Sequence, residues 1–345
     1  MKIVFSSLEH DGYDPRRGKS FEYNNFYRQL VALGHVVHFA SFGRVVAADR
    51  ETFNRELLEL VQTVRPDVFF GFLYTDEFEP AVLDKIKALV PSVGWFSDDH
   101  WRLENYSRFY ASHFTRAVTT WSKAPEEYAH YGITNVIRSQ WACNTADYHP
   151  LETAQDIDVS FVGMHTAHRA RIIRELRRSG IQVATWGAGW GSGKLSFPEL
   201  VQLFSRSKIN LNLNPPMSAL ALKPIAQIFL RRSMNRIVPD IGHVSRNLRS
   251  YFRKRIPQIK ARPFEISGCG GFCLSGFADD IENYYVPEKE MVFYRDTNEL
   301  AEKIHYYLNH EDERQAIARA GYERTIREHT YQKRFEKIFK EIGLV

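Results

Sequence analysis

An α/β fold of two tandem Rossmann-like halves is the expectation for this 345-residue chain, and three observations lead to it. The length exceeds one comfortable core and suits two domains of about 150 residues each. The first half alternates short apolar runs with helical patterns. KIVFSS at 2–7, VVHFAS at 36–41, DVFFGFL at 67–73, SVGWFS at 92–97 and AVTTWS at 117–122 are candidate strands, separated by helix-like segments at 21–33, 51–64, 78–89 and 124–131. Such alternation argues for right-handed βαβ units and a parallel sheet. The second half repeats the scheme, with strands near 157–163, 182–187, 208–213, 271–275 and 291–294. Two such halves leave a cleft on which the strand ends of both sheets converge.

The polar, irregular stretch 142–158, with its His149-Pro150 step, reads as the joint, giving a first domain over 1–150 and a second over 151–328. Phe335, Ile338, Phe339 and Ile342 fall on one helical face, so a final helix over 329–345 must dock. The composition is ordinary for a soluble globule. No apolar run approaches the roughly 20 residues of a membrane span, and the opening MKIVFSS is short for a secretory signal. A cytoplasmic protein is expected. Cys143, Cys269 and Cys273 are odd in number and lack zinc-site spacing, so they read as reduced, buried small residues.

Charge is unevenly placed. Residues 231–262 hold ten Lys or Arg against Asp240 alone, a local charge of +9, while the rest of the chain sums to −4. That field suits a nucleotide diphosphate, a phosphorylated polymer or an anionic membrane face contacted peripherally through 231–255; it also suits a solvated insertion. Nucleic acid is not expected, because no binding motif or regular aromatic interleaving accompanies the run.

The stretch KARPFEISGCGGFCLS at 260–275 carries the sharpest chemical signal. Pro263 fits a first helical position, Glu265 falls in the first turn near the positive end of the helix dipole, and Gly268, Gly270 and Gly271 end the helix before a short apolar strand. A carboxylate fixed there can accept both hydroxyls of a ribose, while Lys260 and Arg262 can meet a diphosphate. A capped helix with a surface acid and solvated cations fits the same residues.

This run resembles the C-terminal signature of the CgeB-like, or spore-maturation-type, glycosyltransferases, a branch of the GT-B superfamily. The resemblance extends through DIDVSFVG at 156–163, YYVPEKEMVFYRDTNELAEKI at 284–304 and ARAGYERTIREHTYQKRF at 318–335, and more loosely through GKSFEYNNFYRQLVALGHVV in the first half. It implies a GT-B fold whose final helix crosses back to the first domain. It also implies a nucleoside diphosphate sugar donor, a glycan, lipid-linked or small-molecule acceptor, and a diphosphate neutralised by cations and helix termini, without a metal or other cofactor.

Loops at the carboxyl ends of strands supply the other candidates. After the strand at 157–163, MHTAHRAR opens a helix on which Arg169 can meet a phosphate, or simply face solvent. TWGAGWGSGK at 185–194 offers Gly187 and Gly189 for close backbone approach and Trp186 or Trp190 for a base, which the resemblance also places there. Asn212 and Asn214, before a double proline, can touch sugar hydroxyls or close an Asx turn. In the first half, Asp98, Asp99 and His100 follow a strand where an acceptor's general base would sit, with His10 and Asp11 as rivals; a helix cap competes. Many retaining GT-B enzymes carry two glutamates eight positions apart. Glu265 matches the second, but the first falls at Pro257, which leaves the stereochemical outcome and the sugar open. A nucleotide-sugar epimerase or hydrolase and a non-catalytic nucleotide-sugar scaffold are the alternatives to sugar transfer.

Overall fold

The computed structural model describes residues 1–214 and 222–344. The chain packs as two compact units: unit 1 comprises Met1–Gln140, Ala219–Arg255 and Gln332–Val345, and unit 2 comprises Trp141–Ser218 and Ile256–Tyr331. In chain order the strands are β1 (Lys2–Ser7), β2 (Val36–Ser41), β3 (Val68–Phe72), β4 (Ser92–Phe96), β5 (Arg116–Thr119), β6 (Val136–Arg138), β7 (Ile157–Val162), β8 (Ala184–Trp186), β9 (Ser207–Asn212), β10 (Leu230–Ser233), β11 (Arg236–Pro239), β12 (Cys273–Gly276) and β13 (Val292–Tyr294).

Unit 1 holds a six-stranded sheet in the order β2-β1-β3-β4-β5-β6, every pair parallel. Covered on both faces, its central strands read as unbroken apolar runs rather than alternations; every residue of β3 and β4 is buried. Local signals set the crossovers. Asp49 caps the helix Arg50–Val64 by accepting from Thr52 N–H, and Arg65, at φ +46°, ends it in the left-handed region. Phe26 anchors an aromatic core, meeting Phe70, Phe72, Trp95 and, from the final helix Tyr331–Glu341, Phe335. Ile338 and Phe339 of that helix are buried too.

Two departures from expectation concern unit 1. The short strand β6 has too little apolar sequence to announce itself. The larger departure is the segment 219–255, expected inside the second domain but packed with the first. Its β10 and β11 form an antiparallel hairpin turned at Met234, with φ +50°. Arg231 pairs with Asp76 at 2.9 Å, and Met234 N–H reaches Thr75 Oγ1 at 2.9 Å. Burial pulls the Asp76 pKa up, but hydrogen bonds from Arg231 and Ser233 outweigh it and leave the carboxyl below its ordinary value. Farther along, Arg249 meets Glu104 at 2.6 Å and Arg253 meets Glu127 at 3.2 Å. Three cations of the run are thus opposed by acids more than 100 positions away in sequence.

Unit 2 holds five parallel strands in the order β13-β12-β9-β7-β8. The helix Phe197–Arg206 opens on a capping box between Ser196 and Glu199. The joint is irregular up to the strand at 157, as its composition suggests, but its start is anchored. Cys143 is fully buried, donates its N–H to His329 O and accepts from Tyr331 N–H, so the units divide at 140/141 rather than at 150/151. Cys143, Cys269 and Cys273 are buried free thiols, each pushed up in pKa by burial.

Candidate functional site

In an open parallel sheet the point where strand order reverses splays two loops apart at the carboxyl edge and leaves room for a ligand. In unit 2 the reversal lies between β7 and β9. The loop after β8 folds onto the loop after β7: Gly187 sits at φ +125°, where a Cβ would collide with Gly163 O, and a Cβ on Gly189 would come within 2.9 Å of His165 Cβ. Trp190 donates its indole N–H to Gly163 O at 2.8 Å and lies edge-on to His165, so it braces this turn instead of meeting a base. Trp186, half-buried at the end of β8, keeps its candidacy.

Arg169 corrects an expectation. Its guanidinium donates to Leu213 O at 3.1 and 3.2 Å and to Met164 O at 3.0 Å, and desolvation lowers its pKa. A guanidinium spent on three carbonyl contacts ties the loops after β7 and β9 together and is not set out for a phosphate. Asn214 donates to Gln258 O at 2.8 Å, fastening the loop after β9 to the approach to the 262–268 helix. The double proline that follows lies outside the described residues.

The helix Arg262–Gly268 leads into β12, so its amino end lies at the carboxyl edge of the sheet. Glu265, in its first turn, is only 5% exposed, and Arg262 Nη1 stands 2.7 Å from Glu265 Oε2. The same guanidinium stacks over Phe204 at 5.2 Å. Lys260 is exposed just upstream. Burial, and then the Glu265 charge, pushes the Cys269 thiol up to about 12, so that cysteine is no nucleophile at neutral pH. Gly270 and Gly271 lie at the other end of this helix, beside the amino end of β12. Gly270, at φ +69°, terminates the helix, and a Cβ on Gly271 would crowd Asn210 Nδ2 at 2.9 Å and Phe204 O at 3.1 Å. Expected to bind the donor, they are packing residues at the wrong end of the sheet.

In unit 1 the order reverses between β1 and β3. Tyr13, from the loop after β1, donates its hydroxyl to Glu77, from the loop after β3. Glu77 is fully buried and also accepts from Thr75 N–H at 2.7 Å and Thr75 Oγ1–H at 2.6 Å; burial raises its pKa. Sequence reasoning missed this pair, although the acid follows a strongly apolar strand by five positions. His10 is half-buried and lines a recess of about 200 Å³ with Leu8, Tyr13, Pro15, Gly43 and Val46.

After β4 the adjacent aspartates part company. Asp98, at the N-cap of the helix Asp99–Arg102, is half-buried. Asp99 is fully buried, takes a hydrogen bond from Tyr128 Oη at 3.1 Å and is pushed up to about 6 by burial. It cannot reach an acceptor hydroxyl, and His100 is buried as well. Among the described residues no group of His, Cys, Asp or Glu is set to hold a metal ion.

Two all-parallel sheets in series, each with its candidate residues on carboxyl-edge loops, define the GT-B class of glycosyltransferase folds. The profile of the family described as Glycosyl transferase-like matches residues 168–340, half of the chain, and the chain belongs to that family: it is a glycosyltransferase. No curated protein sequence matches it. Among solved structures, HepE of Anabaena in complex with UDP shares the fold at TM-score 0.62 with 9% identity, each chain covered over 100% of its length. Sucrose-phosphate synthase of Thermosynechococcus elongatus aligns at TM-score 0.60 and 11% identity over 99% of both chains. The lipopolysaccharide outer core galactosyltransferase WaaB gives 0.56 and 12%, again over 99% of both.

Proposed function

We propose that unit 2 holds a nucleoside diphosphate sugar at its carboxyl edge, and that the sugar passes to a hydroxyl acceptor activated from unit 1. The observation that carries this reading is the Arg262–Glu265 pair, a nearly buried carboxylate held 2.7 Å from a guanidinium on the first turn of a helix that opens at that edge. Glu265 accepts the two ribose hydroxyls, since a carboxylate oriented by an arginine is a pre-formed acceptor for a vicinal diol. Lys260 and the outer face of Arg262 take up the charge that grows on the leaving diphosphate, in place of a metal. Trp186 packs on the base. HepE was solved with UDP, which favours uridine.

On the acceptor side the general base is Asp98, with His10 as its rival. A half-buried carboxylate beside the carboxyl edge can take the hydroxyl proton as the C1–O bond to phosphate breaks. Asp99, out of reach, positions the turn through Tyr128. The ordered sequence blocks at 156–163, 260–275, 284–304 and 318–335 support the CgeB-like branch as the particular lineage.

Calorimetric titration with UDP in the presence of EDTA tests the donor site. The wild-type chain is expected to bind, and Glu265→Ala to raise the Kd about tenfold or more, the loss of charge-assisted hydrogen bonds to two hydroxyls. Equal affinity of both proteins for every nucleoside diphosphate would remove the ribose role of Glu265.

A further inference from the structure

We propose that the exposed apolar and cationic face of residues 225–255 docks unit 1 on an anionic lipid surface. This goes beyond the sugar-transfer reading and does not depend on it. The segment has two sides. On one, Arg231 and Ser233 reach Asp76, and Asn247 and Ser250 are buried. On the other, Phe229, Ile237, Ile241, Leu248 and Phe252 are exposed, Ile237 to 75%, Ile241 to 72% and Phe252 to 57%. Single apolar side chains dot any protein surface, but six within 24 positions, Leu230 included, form a concentration that solvation alone does not explain.

The local geometry keeps these residues outward. Arg231 pairs with Val238 and Arg232 with Ile237 across the hairpin; Arg231 reaches Asp76 from one face and Arg232 bends back to Tyr74 Oη at 2.6 Å from the other, while Ile237 beside it stays 75% exposed. Leu248 and Phe252 are four apart on the helix Val244–Arg253, on the side away from Asn247 and Ser250. Cations flank them: Arg236 and Arg255 are exposed, and Arg246 stacks over the exposed ring of Phe109. The one acid of the segment, Asp240, is buried, accepts from Asn247 at 2.8 Å and pairs with His243 at 2.6 Å. No exposed carboxylate in 225–255 is left to repel a lipid phosphate.

Apolar side chains set among arginines match the boundary between headgroups and acyl chains, where the rings and aliphatic groups enter and the guanidiniums meet anionic heads. A second copy of this chain is a poorer occupant, because a two-fold contact would bring the cationic face against itself. Among the described residues no helix is long and apolar enough to cross a membrane, so contact of this kind is peripheral. The hairpin is bonded to Thr75 and Asp76 on the loop after β3, so docking would also hold the carboxyl edge of the unit 1 sheet near the lipid, where a membrane-anchored acceptor would lie.

Flotation of the whole chain with phosphatidylcholine vesicles, with and without phosphatidylglycerol, tests the proposal. The wild type is expected to float only with phosphatidylglycerol vesicles. The triple variant Ile237→Ser, Ile241→Ser, Phe252→Ser and, separately, the double variant Arg236→Glu, Arg255→Glu should each bind about tenfold more weakly or worse. Unchanged thermal melts and UDP affinity in solution certify the fold, and the single variant Ile237→Ser, with a smaller loss, serves if the triple variant melts early. Failure of the wild type to float, or flotation of the triple variant like wild type, overturns the proposal. So does a dimer in sedimentation that the triple variant dissolves without any vesicle binding. None of these outcomes bears on nucleotide affinity, which tests the donor site by itself.

Discussion

Asp99 in unit 1 and Glu265 in unit 2 are both nearly or fully buried carboxylates placed where a sheet turns toward its loops, yet their partners differ in kind. Glu265 has a full countercharge at 2.7 Å, whereas Asp99 has a neutral tyrosine hydroxyl at 3.1 Å. The hydroxyl donors around Asp99, Tyr128 among them, do not offset its desolvation, and its pKa rises to about 6. Burial alone therefore does not describe either acid; the group opposite it differs.

The contrast can be broken most sharply by kinetics. Asp98→Asn is expected to lower kcat about 100-fold or more with donor affinity unchanged, the scale of a lost general base, while Asp99→Asn changes kcat only a few-fold. Equal losses in the two variants would merge what burial separates and return Asp99 to the acceptor site.

Stability against pH comes next in size. Asp99 binds its proton more tightly folded than unfolded, since its ordinary value is 3.8 and its folded value about 6. The folded state thus holds the extra proton between those values, and stability attributable to this group falls as pH rises from about 4 to 6, by about 3 kcal/mol in all. Denaturant titrations of wild type and Asp99→Asn across that range should show the variant gaining on the wild type as pH rises. A difference that stays flat would mean that Asp99 titrates as if exposed.

The smallest effect concerns the pair in unit 2. Arg262→Ala leaves the Glu265 carboxylate buried without its countercharge and should cost about 2 kcal/mol in chemical denaturation, because Arg262 itself retains some solvent contact. An indistinguishable midpoint would show that Glu265 needs no guanidinium, and the contrast with Asp99 would lose its basis.

Apart from β6 and the β10–β11 hairpin, the strands were legible because parallel sheets buried on both faces impose continuous apolar runs, and the runs at 2–7 and 36–41 match β1 and β2 residue for residue. The helix 262–268 and the placement of Glu265 were legible from proline, acid and glycine at local spacings. Arg169, Gly270 and Gly271 were misread for one reason: residue type suggests what a side chain can bind, but not which carbonyl or neighbouring atom already occupies it. Glu77 and Tyr13 escaped notice because they meet across 64 positions. The +9 block of sequence divides between units, since Asp76, Glu104 and Glu127 oppose Arg231, Arg249 and Arg253 in unit 1 while Arg262 turns to Glu265 in unit 2.

Apolar periodicity, caps and helix stops act over a few residues, so the amino-acid order alone determined a chain of βαβ units, two parallel sheets and an acid on the first turn of the 262–268 helix. Only the tertiary structure decided which charges are neutralised, which aspartate is sealed from solvent and that residues 219–255 belong with the first sheet. Desolvation and Coulomb attraction depend on distance through space, and the partners concerned lie up to 155 positions apart along the chain.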